Sequence, residues 1–145
     1  MPIKKTEYSD ARVEYGIERC YVVHTVETVG DLAVASDASE PACLETADVF
    51  APAPPKSLAA VASEGAISLI WEANGEADLR GYIVLRGRAP GAPTERLTPQ
   101  PIRESAYRDA SVKPGTRYVY AVIAVDTATP PNASAPSNRV EETAR

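Results

Sequence analysis

The longest apolar run in this chain of 145 residues lies at positions 118–125 and reads YVYAVIAV. It is rich in aromatic and β-branched side chains, which favour β-strands. Two further strands are predicted at residues 67–71 (ISLIW) and 82–86 (YIVLR), and clusters of proline, glycine and asparagine separate the strands. No segment between them is long enough for the crossover helix that a parallel sheet needs. The sequence therefore predicts an all-β protein, built as an antiparallel sandwich or barrel.

Charge and composition exclude several classes of protein. The chain has 15 basic and 20 acidic side chains and a net charge of −5, the opposite of the basic surface of a nucleic-acid-binding protein. No run approaches the ~18 apolar residues of a transmembrane helix. With two cysteines and one histidine, the chain offers too few ligands for structural zinc. We therefore expect no cofactor, no metal, no nucleic acid and no membrane insertion.

A proline-dense stretch at residues 50–55 (FAPAPP) divides the chain. Such a stretch is stiff and cannot lie in a central strand. We predict a partial domain at residues 1–50, a linker at 51–56 and a complete domain at 57–145.

The two parts of the chain are related to each other. Residues 8–16 (YSDARVEYG) match residues 107–115 (YRDASVKPG) at a constant offset of 99, with Tyr, Asp, Ala, Val and Gly in the same places. Three further pairs match at this offset: Tyr21 and Tyr120, Val23 and Val122, and Val26 and Val125. Because the offset equals about one β-sandwich domain, residues 1–50 are expected to be the second half of a repeat whose next copy is complete.

Several motifs of residues 52–145 occur in an order typical of one family. In chain order they are Pro54, Pro55 and Leu58; Leu69 and Trp71; residues 81–84 (GYIV); residues 107–109 (YRD); residues 115–122 (GTRYVYAV); and residues 134–137 (SAPS) with Val140. In this order they resemble a fibronectin type III domain, and residues 4–46 resemble strands E to G of a preceding one. The resemblance implies an immunoglobulin-like antiparallel β-sandwich of fibronectin type III topology, with sheet A-B-E packed against sheet C-F-G and C′.

The alternation of the strands and the resemblance together define a predicted core. Its members are Leu69, Trp71, Tyr82, Val84, Tyr118, Tyr120 and Val122. Tyr118 matches the tyrosine-corner position, whose phenol bonds to the E–F turn, whereas Arg19 stands there in the first copy. Asp10 and Asp109 precede a turn and are expected to accept hydrogen bonds from backbone amides. Calcium ligation is the alternative, but it requires several clustered oxygen ligands.

The two cysteines, Cys20 and Cys43, could form a disulfide, remain free thiols or be half of a metal site. The alternation that points Tyr21 and Val23 inward places Cys20 on the outer face of the F–G sheet. A hairpin centred between Asp31 and Leu32 then places Cys43 opposite Cys20, where Cα atoms are ~4.5–5.5 Å apart and a disulfide fits. We therefore predict a Cys20–Cys43 disulfide and an oxidising compartment. Because residues 1–5 (MPIKK) lack the apolar run of a signal peptide, the chain is expected to be a piece of a longer exported protein, extracellular, periplasmic or on the cell surface.

No catalytic site is predicted. Ser9, Asp10 and His24 lack the oxyanion hole and the nucleophile motif of a catalytic triad. Three further acids, Glu72, Glu76 and Asp78, cluster at a turn rather than in the cleft that paired catalytic carboxylates need. The sequon at Asn132 is expected to be only part of the F–G loop. The chain is therefore expected not to be an enzyme.

Two surfaces are expected to bind partners. Tyr21 and Val23 face a core whose second sheet is missing, and three strands with a bare apolar face are marginal alone. The outer face of the C–F pair carries a second apolar group: Ile83, Leu85, Val119, Ile123 and Val125. Contiguous exposed apolar surface marks interaction sites, so we expect a protein partner or a homodimer through one of these surfaces.

The resulting functional hypothesis is a non-catalytic extracellular or cell-envelope module of a bacterial protein, which serves protein–protein interaction, adhesion or spacing. The alternative is an accessory domain of a secreted carbohydrate-active enzyme, or a glycan-binding module. Glycan binding is disfavoured because the chain has one tryptophan, and Trp71 is assigned to the core.

Overall fold

The computed structural model describes residues 2–145, which divide into two compact units, unit 1 up to Asp48 and unit 2 from Val49 to Arg145. The described residues form eleven strands, and none of them forms a helix long and apolar enough to cross a membrane. In chain order the strands are β1 (Glu18–Tyr21), β2 (Val26–Val29), β3 (Leu32–Ala35), β4 (Ala42–Glu45), β5 (Lys56–Ser63), β6 (Ala66–Glu72), β7 (Leu79–Arg88), β8 (Glu95–Arg96), β9 (Ala106–Asp109), β10 (Arg117–Asp126) and β11 (Val140–Thr143).

Unit 2 is a sandwich of two antiparallel sheets. One sheet has the order β5-β6-β9 and the other has the order β11-β10-β7-β8. These orders correspond to A-B-E and G-F-C-C′, so the predicted fold class and topology are confirmed. The longest pairing joins β7 to β10 along nearly their whole length, because residues 118–125 and 82–86 are the richest in β-branched and aromatic side chains.

The core of unit 2 lies between these two sheets. Trp71 of β6 is 4% exposed, and its ring meets that of Tyr82 edge to face at a centroid distance of 5.3 Å. Such a pair joins large apolar area to a favourable ring geometry. The core cluster contains all seven residues of the predicted core: Leu69, Trp71, Tyr82, Val84, Tyr118, Tyr120 and Val122.

The apolar patch predicted on the outer face of the β7–β10 pair requires correction. Ile83, Val119 and Val125 are buried, and Leu85 and Ile123 are half-buried. β7 and β10 are the two central strands of their sheet and have a neighbouring strand on each side. Glu141 of the neighbouring strand β11 lies opposite Val119 and forms an ion pair with Arg117 on the same face. The face is therefore not the open apolar surface that the sequence predicted.

Unit 1 consists of two short antiparallel strand pairs. β2 pairs with β3 around a two-residue turn at Gly30 and Asp31, and β1 pairs with β4 further from the turn. The predicted strand E is wrong, because residues 2–17 form no strand. In unit 2 the corresponding strand β9 is held by β6, and β6 has no counterpart among the described residues of unit 1.

Truncation of Trp71 tests the core of unit 2. Trp71→Ala is expected to lower the free energy of unfolding by about 3–5 kcal/mol, because it leaves a cavity between the sheets. Urea denaturation followed by circular dichroism measures this, since the substitution removes the fluorescent reporter. Ile70→Ala is the matched control, because the neighbouring side chain is 57% exposed. An unchanged denaturation midpoint for Trp71→Ala would mean that the ring does not hold the sheets together.

Candidate interaction site

A buried hydrogen-bond network joins the two sheets of unit 2. The hydroxyl of Tyr120 donates to Asp109 Oδ2 over 2.9 Å, and the amide of Ser111 donates to Asp109 Oδ1 over 2.9 Å. The bond from the Ser111 amide confirms the prediction that Asp109 accepts a hydrogen bond from the backbone of the turn. Arg86 Nη1 lies 2.8 Å from Asp109 Oδ2, and a second contact joins Arg86 to Glu95 at 2.9 Å. A buried carboxylate is thus paired with a cation and is fully hydrogen-bonded, as burial of charge requires.

The network sets the protonation of its members. Burial alone raises the pKa of Asp109, but the hydrogen bonds from Ser111, Arg86 and Tyr120 outweigh it and lower that pKa below its ordinary value. Burial, followed by the hydrogen bond to Asp109, raises the pKa of Tyr120. Both groups are therefore held in their structural states, the aspartate ionised and the phenol protonated.

Unit 1 repeats the same contacts. The hydroxyl of Tyr21 donates to Asp10 Oδ2 over 3.2 Å, and the amide of Arg12 donates to Asp10 Oδ1 over 3.0 Å. The glycine of the following turn also recurs: Gly16 and Gly115 adopt φ angles of 74° and 77°, a region that favours glycine. The similarity found in the sequence is therefore a similarity of hydrogen bonds as well.

A serine pattern, Ser-x-x-Ser, ties the return segment of unit 2 to β10 and that of unit 1 to residues 22–25, between β1 and β2. In unit 2 the amide of Val122 donates to Ser137 Oγ over 3.0 Å, and the amide of Ser137 donates to the Val122 carbonyl over 2.8 Å. In unit 1 Val23 and Ser39 make the same two bonds at 3.0 and 2.9 Å. The hydroxyl here replaces the carbonyl of a regular ladder. The exchange recurs at Ala124 with Ser134 and at Thr25 with Ser36.

Cys20 and Cys43 form a disulfide across β1 and β4, with their Cα atoms 3.9 Å apart. They are directly opposed in the register, although the hairpin centre predicted between Asp31 and Leu32 is wrong. The turn is centred one residue earlier, and the return segment at residues 36–41 has two residues more than residues 22–25 opposite it. This irregular segment carries the serine bonds and restores the opposition of the two cysteines.

Unit 1 has an open cleft on the inner face of β1 and β4. The cleft measures about 800 Å³, and its apolar lining includes Ile3, Tyr8, Val13, Tyr21, Val23 and Leu44. Val23 is 68% exposed, whereas its counterpart Val122 is fully buried. Tyr21 is half-buried and Tyr120 fully buried. The cleft therefore occupies the place of the core in unit 2.

Two of the polar residues considered for catalysis, Asp10 and His24, are engaged in other contacts. Asp10 contacts Arg12 and Tyr21, while His24 Nδ1 lies 2.9 Å from the carbonyl oxygen of Ser36. The carboxylate of Glu76 accepts a bond from the amide of Ala53, which lowers the pKa of Glu76.

The remaining candidates lie in loops or at strand ends. Glu72 accepts a bond from the hydroxyl of Ser57, and Asp78 lies exposed in the loop before β7. The amide side chain of the sequon residue Asn132 donates to the buried carboxylate of Asp126. These contacts hold loops in place.

Comparison with known proteins places the fold in a class. No family model matches the chain. An amylopullulanase of Thermoanaerobacterium thermosulfurigenes is 27% identical over 114 residues, which are 79% of this chain and 6% of the enzyme. A solved Fn3-like protein from Clostridium thermocellum has a TM-score of 0.56 and 28% identity, and the match covers 66% of this chain and 96% of that one. The fn3 domain of human contactin 1 has a TM-score of 0.57 and 20% identity, over 72% of this chain and 87% of that one.

The chain thus carries a fibronectin type III-like domain. The likeness to the Clostridium thermocellum protein agrees with the sheet orders of unit 2, and the predicted resemblance is confirmed. The chain spans only 6% of the length of the amylopullulanase.

The Asp109 network predicts acid sensitivity. Because the folded state lowers the pKa of Asp109, ionisation of this group stabilises unit 2 above the unfolded value of about 3.9. That stability is lost as the pH falls through the lower, folded value. Asp109→Asn is therefore expected to flatten the dependence of the urea midpoint on pH between about pH 5 and about pH 2. Exposed Glu104→Gln is the control, and an unchanged slope in Asp109→Asn would contradict the assignment.

Reduction of the disulfide is expected to affect unit 1 alone. The bridge joins residues 23 positions apart, and a closed loop of this size stabilises by roughly 3 to 3.5 kcal/mol in the chain-entropy model. With dithiothreitol, or in a Cys20→Ser/Cys43→Ser variant, NMR should show loss of the dispersed β1 and β4 signals. Signals of β7 and β10 serve as the internal control and should stay in place. Persistence of the β1–β4 pairing after reduction would show that the bridge is dispensable.

Proposed function

We propose that the chain is a non-catalytic accessory and spacer module of a secreted bacterial protein that processes carbohydrate. The observation that carries the proposal is the repeat of one hydrogen-bonded frame in two consecutive units, the arrangement expected of a tandem array of sandwich modules. In this frame Asp10, Asp109 and Arg86 are engaged in holding the fold. None of these three groups is then free to serve as a general acid or base.

The proposed link to carbohydrate processing rests on the similarity of this chain to a known enzyme. The relative named amylopullulanase is an enzyme much longer than this chain, and a module of this size within it would be one of several parts. The Cys20–Cys43 disulfide supports an oxidising compartment outside the cytoplasm. Trp71 is buried, which speaks against a tryptophan platform for sugar rings. The favoured role is therefore to space other domains, with glycan binding as the competing role.

Affinity electrophoresis distinguishes the two roles. The 145-residue chain is run through native gels with and without pullulan, and a spacer is expected to migrate equally in both. Retardation that Tyr8→Ala and Tyr15→Ala abolish would make the chain a glycan-binding module instead, because these side chains are 64% and 57% exposed. A parallel incubation with pullulan is expected to release no reducing sugar. Release by the purified chain would contradict the non-catalytic assignment.

A further inference from the structure

Unit 1 matches the second part of unit 2 in sequence, at an offset of 99 up to Val26 and of 98 at Ser36 and Ser39. The offset of 99 extends back to Pro2 and Ile3, which match Pro101 and Ile102. In unit 2 residues 49–100 precede this part and supply β5, β6, β7 and β8. No counterparts of these four strands exist among the described residues 2–48.

We propose that the inner face of unit 1 is a docking surface for a half-sandwich with the strand pattern of residues 49–100. This goes beyond the spacer role, because it assigns unit 1 a specific occupant. The occupant is an A-B-C-C′ segment whose inward residues alternate as in β6, with apolar side chains at the positions of Ile67, Leu69 and Trp71.

The exposure of equivalent residues supports this occupant. Val13 is 39% exposed, whereas its counterpart Val112 is 9% exposed in the core of unit 2. The same contrast separates Val23 from Val122. In unit 2 the core cluster covers these positions with side chains of β5, β6 and β7. The tyrosine–aspartate bond and the serine bonds next to these positions recur in both units, so a cover like that of unit 2 fits unit 1.

Backbone hydrogen bonding points to the same occupant. In unit 2 one edge of β10 pairs with β7 from Tyr118 to Asp126. In unit 1 β1 pairs only with β4, and β2 only with β3, within residues 2–48. One edge of β1 and β2 therefore remains open for an added strand, which is the geometry of β-augmentation. A strand equivalent to β7 would form hydrogen bonds with the backbone amides and carbonyls of this edge.

Net charge favours this occupant over a second copy of unit 1. Residues 1–48 carry ten acidic and four basic side chains, whereas residues 49–100 carry five of each. Two copies of unit 1 would each bring this net negative charge, and like net charges disfavour association. A half-sandwich like residues 49–100 brings no net charge and meets no such repulsion.

An extended chain tests the proposal. A second copy of residues 49–100 is placed directly before residue 2 of the otherwise full chain, and hydroxyl-radical labelling with mass spectrometry reports side-chain access. Labelling of Tyr21 and Val23 is expected to fall to the level of Tyr120 and Val122, which serve as the standard in the same molecule. The matched control carries Leu69→Asp and Trp71→Asp in the added copy only, and there labelling should remain as in the unextended chain.

Two measurements complete the test. Light scattering is expected to give a monomer for both the unextended and the extended chain. Val23→Asp is expected to restore the labelling of Tyr21 in the extended chain, while it leaves Tyr21 labelling in the unextended chain unchanged. The proposal is overturned if the extended chain labels Tyr21 and Val23 as strongly as the unextended one. A dimeric unextended chain with both residues protected would also overturn it, in favour of a second copy as the occupant.

Discussion

Burial of the inner face of β10 is the interaction on which the fold of unit 2 depends. Tyr118, Tyr120 and Val122 project from this strand into the space between the sheets, and all three are buried. Their cover consists of the opposing side chains of β6 together with the neighbouring strand β7. The Arg86–Asp109 pair also lies in this buried region between the sheets. Away from water, the two charges of a hydrogen-bonded ion pair attract each other more strongly. The tyrosine corner at the start of β10, where the amide of Lys113 donates to Tyr118 Oη over 3.1 Å, ties the strand to the preceding turn.

The two units share one set of hydrogen bonds but differ in whether a second sheet covers the inner face. Both units have the glycine turn and make the tyrosine–aspartate and serine bonds, which join residues 11 to 16 positions apart. The cover of the inner face comes from strands distant in sequence, and only unit 2 has it. In unit 1 the disulfide closes the hairpin that no second sheet supports. The frame therefore forms from local contacts, and the sandwich requires the further burial of apolar area.

Much of the fold could be predicted from the sequence because it depends on strand alternation. Parity placed Trp71 and Tyr82 in the core and Cys20 on the outer face. The opposition of Cys43 was predicted from a hairpin centre one residue away from the observed one. The same parity contained an unused signal: Arg86 shares the inward face of Tyr82 and Val84, and an inward arginine requires a carboxylate partner such as Asp109. The burial of Ile83 and Val119 could not be predicted in this way, because it depends on neighbours in the sheet. The serine bonds were missed because a side-chain oxygen that replaces a carbonyl leaves no periodic pattern.

The central claim is that both units share one frame and differ in whether its inner face is covered. Amide hydrogen exchange at Val23 and Val122 in the unmodified chain tests it most directly, because both amides donate to a serine hydroxyl over 3.0 Å. The account predicts that the Val122 amide exchanges only through global unfolding of unit 2, and that the Val23 amide exchanges through local opening at a far higher rate. Equal protection of the two amides in a monomeric chain would contradict the account.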